Sequence, residues 1–307
     1  AAFVALPSIV LPGQLPLFFA VALTAAVGMA LYDTGTDGLA VERTPARDRG
    51  LVQGIMVSAR ASGLLCALLG GSWLVSDMGW PAVFYFVALL SLPALVLALL
   101  LWERGMRSQQ TAFDWTAFHA LGSRPVLALA GFGLTYAFAL DGVLSYLSYH
   151  PDSGGVGDIG QLGGLVALSM LGRIGGALFH PVVSRRLDFA GTTRMAIALS
   201  AFSCLGLSLQ TGVAGLAVIC LIFGFAYGYV TALYASTAMA LSDTRIAASM
   251  FAIFMMFLNI GIAIGQFTGG LVVGAVGFQA LAFMMALLLV PVFLSVRGLG
   301  RILHGQP

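Results

Sequence analysis

Long apolar runs recur along this chain, and they constrain its fold more than any other feature. Residues 80–102, WPAVFYFVALLSLPALVLALLLW, contain no charged side chain. A helix of about twenty apolar residues crosses the roughly 30 Å hydrocarbon core of a bilayer. Strands of an outer-membrane barrel alternate apolar and polar residues, and these runs do not. The runs therefore predict an all-α, polytopic membrane protein in contact with lipid.

The composition supports the same interpretation. Charged residues make up 8% of the 307 residues and the mean hydropathy is +1.00, whereas a soluble domain carries about 25% charged residues. A net charge of +2 is too small to indicate nucleic acid as a partner. The sequence has no zinc-ligand spacing and no phosphate loop, so we predict neither a metal nor a cofactor.

The apolar runs predict a series of membrane spans. A partial span covers residues 1–11, and full spans are expected near 14–41, 50–75, 80–102, 125–149, 159–183, 192–210, 213–240, 246–275 and 278–297. Most connections are short, so successive helices should be antiparallel neighbours. The first residue is Ala rather than Met, and the first run is too short to cross a bilayer. We therefore expect the chain to be a fragment.

One long polar stretch divides the chain. Residues 103–125, ERGMRSQQTAFDWTAFHALGSRP, separate a front part from a back part. The predicted domains are an incomplete N-terminal bundle over 1–102, a linker over 103–124 and a C-terminal six-helix bundle over 125–307.

The arginines predict the orientation. The chain has no lysine, and the arginines outside the apolar runs all fall in connections on one face: Arg43, Arg47, Arg49, Arg104, Arg107, Arg124, Arg185, Arg186, Arg194, Arg245, Arg297 and Arg301. The opposite connections carry Asp77, His150, Asp152 and Asp158. By the positive-inside rule, the linker and the C-terminus should be cytoplasmic, most simply in a bacterial inner membrane.

The back part repeats landmarks of the front part. Gly63 matches Gly261, the pair Gly70 and Gly71 matches Gly269 and Gly270, Gly79 matches Gly277, and Pro93 matches Pro291, at a separation of roughly two hundred residues. Glycine and proline are frequent in membrane helices, which accounts for single matches. The ordered set favours two parallel copies of one six-helix bundle, a plan found in transporters.

Four charged side chains fall inside the apolar runs: Asp33, Arg60, Asp141 and Arg173. Such residues need a partner or a water-filled cavity, because an unpaired charge in the membrane is costly. Asp33 and Arg60 are equidistant from the turn near Pro45, each about 20 Å into its helix, so they should face one another near mid-membrane. Asp141 and Arg173 are nearly symmetric about residues 156–157. Each pair could be a structural salt bridge or part of a transport site.

Other polar residues in the spans are weaker candidates. They are Tyr136, Gln161, Tyr227, Tyr234, Asn259 and Gln266. Hydrogen bonds between membrane helices are common, so packing explains these residues as well as a substrate contact does. We include Tyr136, Gln161, Tyr227, Asn259 and Gln266 among the candidate binding or coupling residues. Deep arginines remain the stronger candidates, because guanidinium groups bind carboxylate or phosphate through paired hydrogen bonds.

Two connections carry motifs that suggest a family. The segment ERTPARDRG at 42–50 and the segment GRIGGALFHPVVSRRLDFAGTTRM at 172–195 resemble the helix four to five and helix eight to nine connections of the major facilitator superfamily. The second segment lacks the family's usual aspartate before its arginines. The resemblance covers nearly the whole chain if it begins in the third of twelve helices.

The resemblance implies a function as well as a fold. It implies a secondary active transporter of a small organic solute, working by alternating access, coupled to protons as a symporter or antiporter, and monomeric. From the resemblance, the residues expected at the cytoplasmic gate are Glu42, Arg49, Arg185, Arg186 and Arg194. Asp37 is added because it lies one helical turn closer to the arginine-rich connection than Asp33. Gly63 is followed by Leu64 rather than by proline, which makes a multidrug antiporter less favoured. A membrane-embedded enzyme and a non-transporting assembly factor remain as alternatives.

Overall fold

A computed structural model of the protein describes residues 13–103, 119, 121–150, 159–209, 212–243 and 246–304. Within these ranges the long elements are nine helices: α1 Leu15–Arg43, α2 Arg49–Met78, α3 Trp80–Glu103, α4 Arg124–Ser145, α5 Ile159–Val183, α6 Phe189–Leu209, α7 Val213–Leu241, α8 Ala247–Val276 and α9 Phe278–His304. Eight helices in the described ranges are long and apolar enough to cross a membrane. The predicted all-α, polytopic fold is confirmed.

Two helices end at residues other than those predicted, because the end of an apolar run need not be the end of a helix. The fourth span was predicted to reach residue 149, but α4 ends at Ser145 and a short 3₁₀ turn, Leu147–Tyr149, follows. The last helix continues to His304, beyond the predicted end at 297. Polar residues such as Arg297 and Arg301 lower the hydropathy near the end of α9, but they do not end the helix.

Two glycines matched by the internal repeat adopt the same backbone conformation. Gly79 ends α2 with φ 78° and ψ 173°, and Gly277 ends α8 with φ 87° and ψ 169°. Positive φ strongly favours glycine, because a side chain would be strained there. Each amide donates to the carbonyl four residues earlier, Val75 or Val273. The corresponding turns of the two parts are therefore built alike.

The buried core lies in the back helices. Here α5 packs along α7, α4 along α8, and α6 along α9. The largest fully buried side chains come mainly from α4, α7 and α8, among them Tyr136, Phe223, Tyr229 and Phe254. The front helices join this core separately, since α1 packs on α8 while α2 packs on α5 and α7. Residues 104–118 of the predicted linker lie outside the described residues, so the domain boundaries stay a prediction.

Small residues bring α5 and α7 into backbone contact. Gly172 and Gly176 on α5 lie against backbone atoms of α7, while Gly224 and Gly228 on α7 lie against backbone atoms of α5. A methyl group at Gly228 would overlap the carbonyl oxygen of Arg173. Reciprocal small residues four apart allow such close packing of membrane helices. The contact sets the distance between the side chains that flank these glycines.

The contact between α4 and α8 is built in the same way. Gly261 and Gly265 on α8 lie against the carbonyls of Leu134 and Phe138 on α4. A Cβ atom at Gly142 would lie 3.1 Å from the carbonyl oxygen of Gly265. Because Asp141 precedes Gly142 in α4, this contact also fixes the depth of its carboxylate.

We expect Gly228→Ala to destabilise the protein by about 1–3 kcal/mol, because the added methyl group must push α5 and α7 apart. Gly131→Ala is the matched control, since nothing lies within 4 Å of a Cβ atom built at Gly131. The measurement is thermal unfolding of both variants in the same detergent. Equal unfolding temperatures for the two variants would contradict the close contact.

Candidate functional site

Tyr227 joins an acid and a base in the interior of the back helices. Its hydroxyl donates a hydrogen bond to Oδ2 of Asp141, whose residue surface is 8% exposed. The Cζ atom of Arg173 lies over the Tyr227 ring, 4.1 Å from its centroid. A cation on an aromatic face is held by the electrostatic potential of the ring. One tyrosine therefore holds a carboxylate at its edge and a guanidinium on its face.

This arrangement corrects one expectation. Asp141 and Arg173 were expected to form an acid and base pair, but no direct ion pair joins these two described residues. They interact electrostatically with Tyr227 between them. The reason is the close α5–α7 contact, which brings the Tyr227 ring over the guanidinium. Helix register predicts depth, but it does not predict which side chain lies between two others.

A cluster of aromatic residues borders this group. The rings of Tyr136 and Tyr234 meet edge to face with centroids 5.6 Å apart, and the Tyr234 hydroxyl donates to the carbonyl of Phe254 at 2.8 Å. The fully buried Tyr136 hydroxyl lies near Thr231 without forming a hydrogen bond of good geometry. Nε of Arg173 is likewise buried without an acceptor. Two polar groups at this site thus have hydrogen-bonding capacity left.

A second acid and base pair joins the two front helices. Nη2 of Arg60 on α2 lies 3.4 Å from Oδ1 of Asp33 on α1, as the register predicts. Within the described part of the protein, the side chains are 51% and 37% exposed. The pair therefore lies at an open surface rather than in the packed core. An exposed guanidinium keeps donors for a further ligand.

The two groups are close enough to influence one another. Arg60 and Arg173 interact electrostatically across the interface between α2 and α5. Asp37, which is 8% exposed, interacts with Arg60 and Asp33. Its position follows from packing, because Gly38 lies against Ala248 and presses α1 onto α8. The gate role expected for Asp37 stays a prediction, and the structure adds that Asp37 interacts with the Asp33–Arg60 pair.

The combined cluster carries an excess of acids. It contains two arginines and three aspartates: Arg60, Arg173, Asp33, Asp37 and Asp141. With every group ionised, the charges sum to one negative charge. Asp37 and Asp141 are each 8% exposed, and charges interact more strongly at such buried positions than in water. A change of one proton or one ligand charge therefore changes the balance of the whole cluster.

The remaining candidates are not brought into this cluster by any contact that the structure describes. The side chains of Asn259 and Gln266 on α8 are exposed, and the Gln266 carbonyl accepts a hydrogen bond from the Tyr146 hydroxyl at 2.9 Å. The side chain of Gln161 lies outside the described residues. Among the predicted gate residues, Glu42 and Arg186 are exposed. Arg194 on α6 is half-buried.

A separate pocket lies where α2 begins and where α5 and α7 end. Its volume is about 420 Å³, and Arg49 and Arg185 of the predicted gate line it. It also includes Arg47 and His180, which sequence reasoning did not select. His180 is an ionisable residue at the end of an apolar run, ALFHPVV, and that position was the available signal. The pocket itself could not be predicted, because three distant segments form it.

We expect a double-mutant cycle to detect the Tyr227–Asp141 hydrogen bond. Tyr227→Phe and Asp141→Leu each leave a buried polar group without its partner, whereas the double variant removes both groups. The stability changes should therefore be non-additive by about 0.5–3 kcal/mol, measured by unfolding in detergent.

The control cycle pairs Tyr227→Phe with Tyr234→Phe. Tyr234 is seven residues along α7, about 10 Å away, and its hydroxyl bonds to Phe254 instead. These two changes should be additive to within about 0.5 kcal/mol. Additivity in the Asp141 cycle as well would contradict the hydrogen bond.

Comparison with known proteins assigns the family. The sequence profile of the Major Facilitator Superfamily matches residues 1–266, which is most of the chain. No curated protein matches the chain at a significant level. The profile match agrees with the membrane-spanning helices and with the motifs in the two arginine-rich connections. The chain belongs to the major facilitator superfamily of membrane transporters.

Proposed function

We propose that the protein is a secondary active transporter that exchanges protons while moving a small organic anion or zwitterion by alternating access. The observation that carries this proposal is the Tyr227 group, with Asp141 at its hydroxyl and Arg173 on its ring. Arg173 also interacts electrostatically with Arg60 of the front helices. Family membership supports transport over a membrane-embedded enzyme or an assembly factor.

The two arginines are the proposed anion ligands. A guanidinium binds a carboxylate or phosphate through two parallel hydrogen bonds. Arg173 has a buried Nε without an acceptor, and Arg60 is half exposed beside Asp33. A solute between them would be held by α2 from one side and by α5 from the other. Such a site at the interface of two halves suits alternating access, in which the halves rock around a bound solute.

The charge balance of the cluster supports proton coupling. Three aspartates already outnumber the two arginines, so an incoming anion adds to an existing negative excess. Protonation of Asp141 or Asp33 would relieve the repulsion between the bound anion and the aspartates, and release of the solute would restore the ionised state. Tyr227 can keep its hydrogen bond to Asp141 in both states, because a protonated carboxyl retains an acceptor oxygen. Binding and protonation would then be linked.

The proposed orientation of the protein in the membrane rests on the distribution of its arginines. With the arginine-rich connections in the cytoplasm of a bacterial cell, the pocket lined by Arg49 and Arg185 opens on the inner side. The central cluster then lies between that pocket and the outer face. We propose that the transporter works as a monomer, as the resemblance to the family implies.

We expect organic anions to stabilise the protein and to lose this effect in Arg173→Gln. A ligand at about a hundred times its Kd adds roughly 2.7 kcal/mol to the folded state, which thermal unfolding detects. Carboxylates, phosphorylated compounds, amines and sugars should be compared. Loss of a charge-assisted hydrogen bond should weaken the active anion at least about tenfold.

Arg301→Gln is the control, because Arg301 is an exposed arginine at the end of α9. It should bind the anion as the unchanged protein does. Stabilisation by amines or sugars alone would contradict an anion site, and equal effects of the two variants would exclude a specific role for Arg173.

We also expect anion binding to take up protons from the solution. The uptake is measured by calorimetric titration in two buffers with different ionisation enthalpies. Asp141→Asn and Asp33→Asn each remove one possible acceptor, so at least one should reduce the uptake and make the affinity less dependent on pH. Asp77→Asn is the control, because Asp77 is exposed at the opposite end of α2. Unchanged uptake in both test variants would mean that the acid and base pairs are structural.

A further inference from the structure

The pocket between α2, α5 and α7 is strongly cationic. Arg47, Arg49 and Arg185 line it together with His180, and no carboxylate does so among the described residues. Arg47 is partly neutralised, because its Nε lies 3.3 Å from Asp48. Neither Arg49 nor Arg185 forms an ion pair with any described residue. Two arginines that have no counter-ion from the described part of the chain therefore line one cavity.

Two buried nitrogen atoms at this pocket have no hydrogen-bond partner. They are Nδ1 of His180, a residue only 2% exposed, and Nε of Arg49. Buried polar atoms in folded proteins are nearly always hydrogen-bonded, so such exceptions require an explanation. Both residues line the same cavity. An anion bound in this cavity would bring acceptor oxygens to both residues.

The imidazole is held in position by its neighbours. The His180 ring meets the Tyr229 ring edge to face, with centroids 5.5 Å apart. On the other side, a Cβ atom at Gly50 would lie 3.6 Å from Cε1 of His180, so the start of α2 packs directly over the ring. Restricted side chains make better ligands, because little rotamer entropy is lost on binding.

The nearby acids already have other partners. Asp48 pairs with Arg47. Oδ1 of Asp188 accepts the amide of Gly191 at 2.9 Å. Neither aspartate lines the pocket. Neither aspartate forms an ion pair with Arg49 or Arg185, so the charges of these two arginines are not neutralised by direct pairing.

We propose that this pocket binds a phosphate-bearing anion, held by Arg49, Arg185 and the imidazole of His180. Phosphate oxygens match the planar fork of guanidinium and can also accept from an imidazole N–H. The beginning of α2 adds the positive end of its helix dipole. A volume of about 420 Å³ leaves room for a phosphate group with a small organic substituent.

This site is distinct from the central cluster. His180 is seven residues beyond Arg173 on α5, which places it about 10 Å further along the helix axis. Arg49 belongs to the front helices, whereas Arg185 follows α5 of the back helices. An anion bound by both would link the two halves at the arginine-rich end and stabilise the conformation described here. The anion could be a soluble phosphate compound or the headgroup of an anionic lipid.

Thermal unfolding of the purified protein tests the site with two soluble probes, inorganic phosphate and glycerol phosphate. Potassium chloride at equal ionic strength measures the nonspecific effect of salt. If the ligand is a soluble phosphate compound, we expect a saturable rise in unfolding temperature with at least one of the two probes. If the ligand is a lipid, we expect the lipid retention described below. Arg185→Gln should weaken binding at least about tenfold. Arg186→Gln removes the same charge from the next residue, which does not line the pocket, and should bind as the unchanged protein does.

Native mass spectrometry identifies a lipid source. The protein is released from phosphatidylcholine nanodiscs with or without phosphatidic acid, and retained lipid is counted. A headgroup site is supported if the unchanged protein and Arg186→Gln retain phosphatidic acid and Arg185→Gln does not. If Arg185→Gln does not give a folded monomer, Arg49→Gln takes its place. The proposal would be overturned if neither the soluble probes nor the lipid bound to the protein. It would also be overturned if Arg185→Gln and Arg186→Gln weakened binding equally.

Discussion

Backbone contact between α5 and α7 is the interaction on which the rest of this structure depends. Four glycines allow it, and each lies against the main chain of the opposite helix. In a membrane, helices gain little from burying apolar surface against one another, so close packing of small residues stabilises their association. At this separation Arg173 lies over the Tyr227 ring, and Tyr227 reaches Asp141 on α4. The glycines therefore set the geometry of the charged site without touching a ligand.

The charged site and the cationic pocket lie at different positions along α5. Arg173 lies within α5, and His180 lies near its end, beside the arginines of the connections. In our proposal, the central cluster binds solute and proton, whereas the pocket binds an anion that links the two halves. Both sites use α2 as the second wall, because α2 packs on α5 and α7. A rocking motion of the front helices would therefore change both sites together.

Sequence reasoning predicted the helices and one of the acid and base pairs for physical reasons. Apolar runs identify spans, and Asp33 and Arg60 could be paired because a short turn fixes the register of α1 and α2. The role of Tyr227 was not predicted, because the rotation of each helix about its axis is set by packing rather than by hydropathy. Asp37 was assigned to the gate from its depth, which stays a prediction, and its electrostatic interaction with Arg60 was not predicted. The His180 pocket was missed because its lining is assembled from segments far apart in sequence.

Proton-coupled transport is the central proposal, and flux into liposomes tests it most directly. The protein is reconstituted into liposomes, and uptake of a radiolabelled organic anion is followed with and without an imposed pH gradient. We predict that the pH gradient changes both the rate of anion uptake and the final amount of anion inside the liposomes. A protonophore should remove this effect of the gradient. Proton coupling would be contradicted if the anion flux were the same with the gradient, without it and with the protonophore. Transport of organic anions would be contradicted if no saturable flux were found.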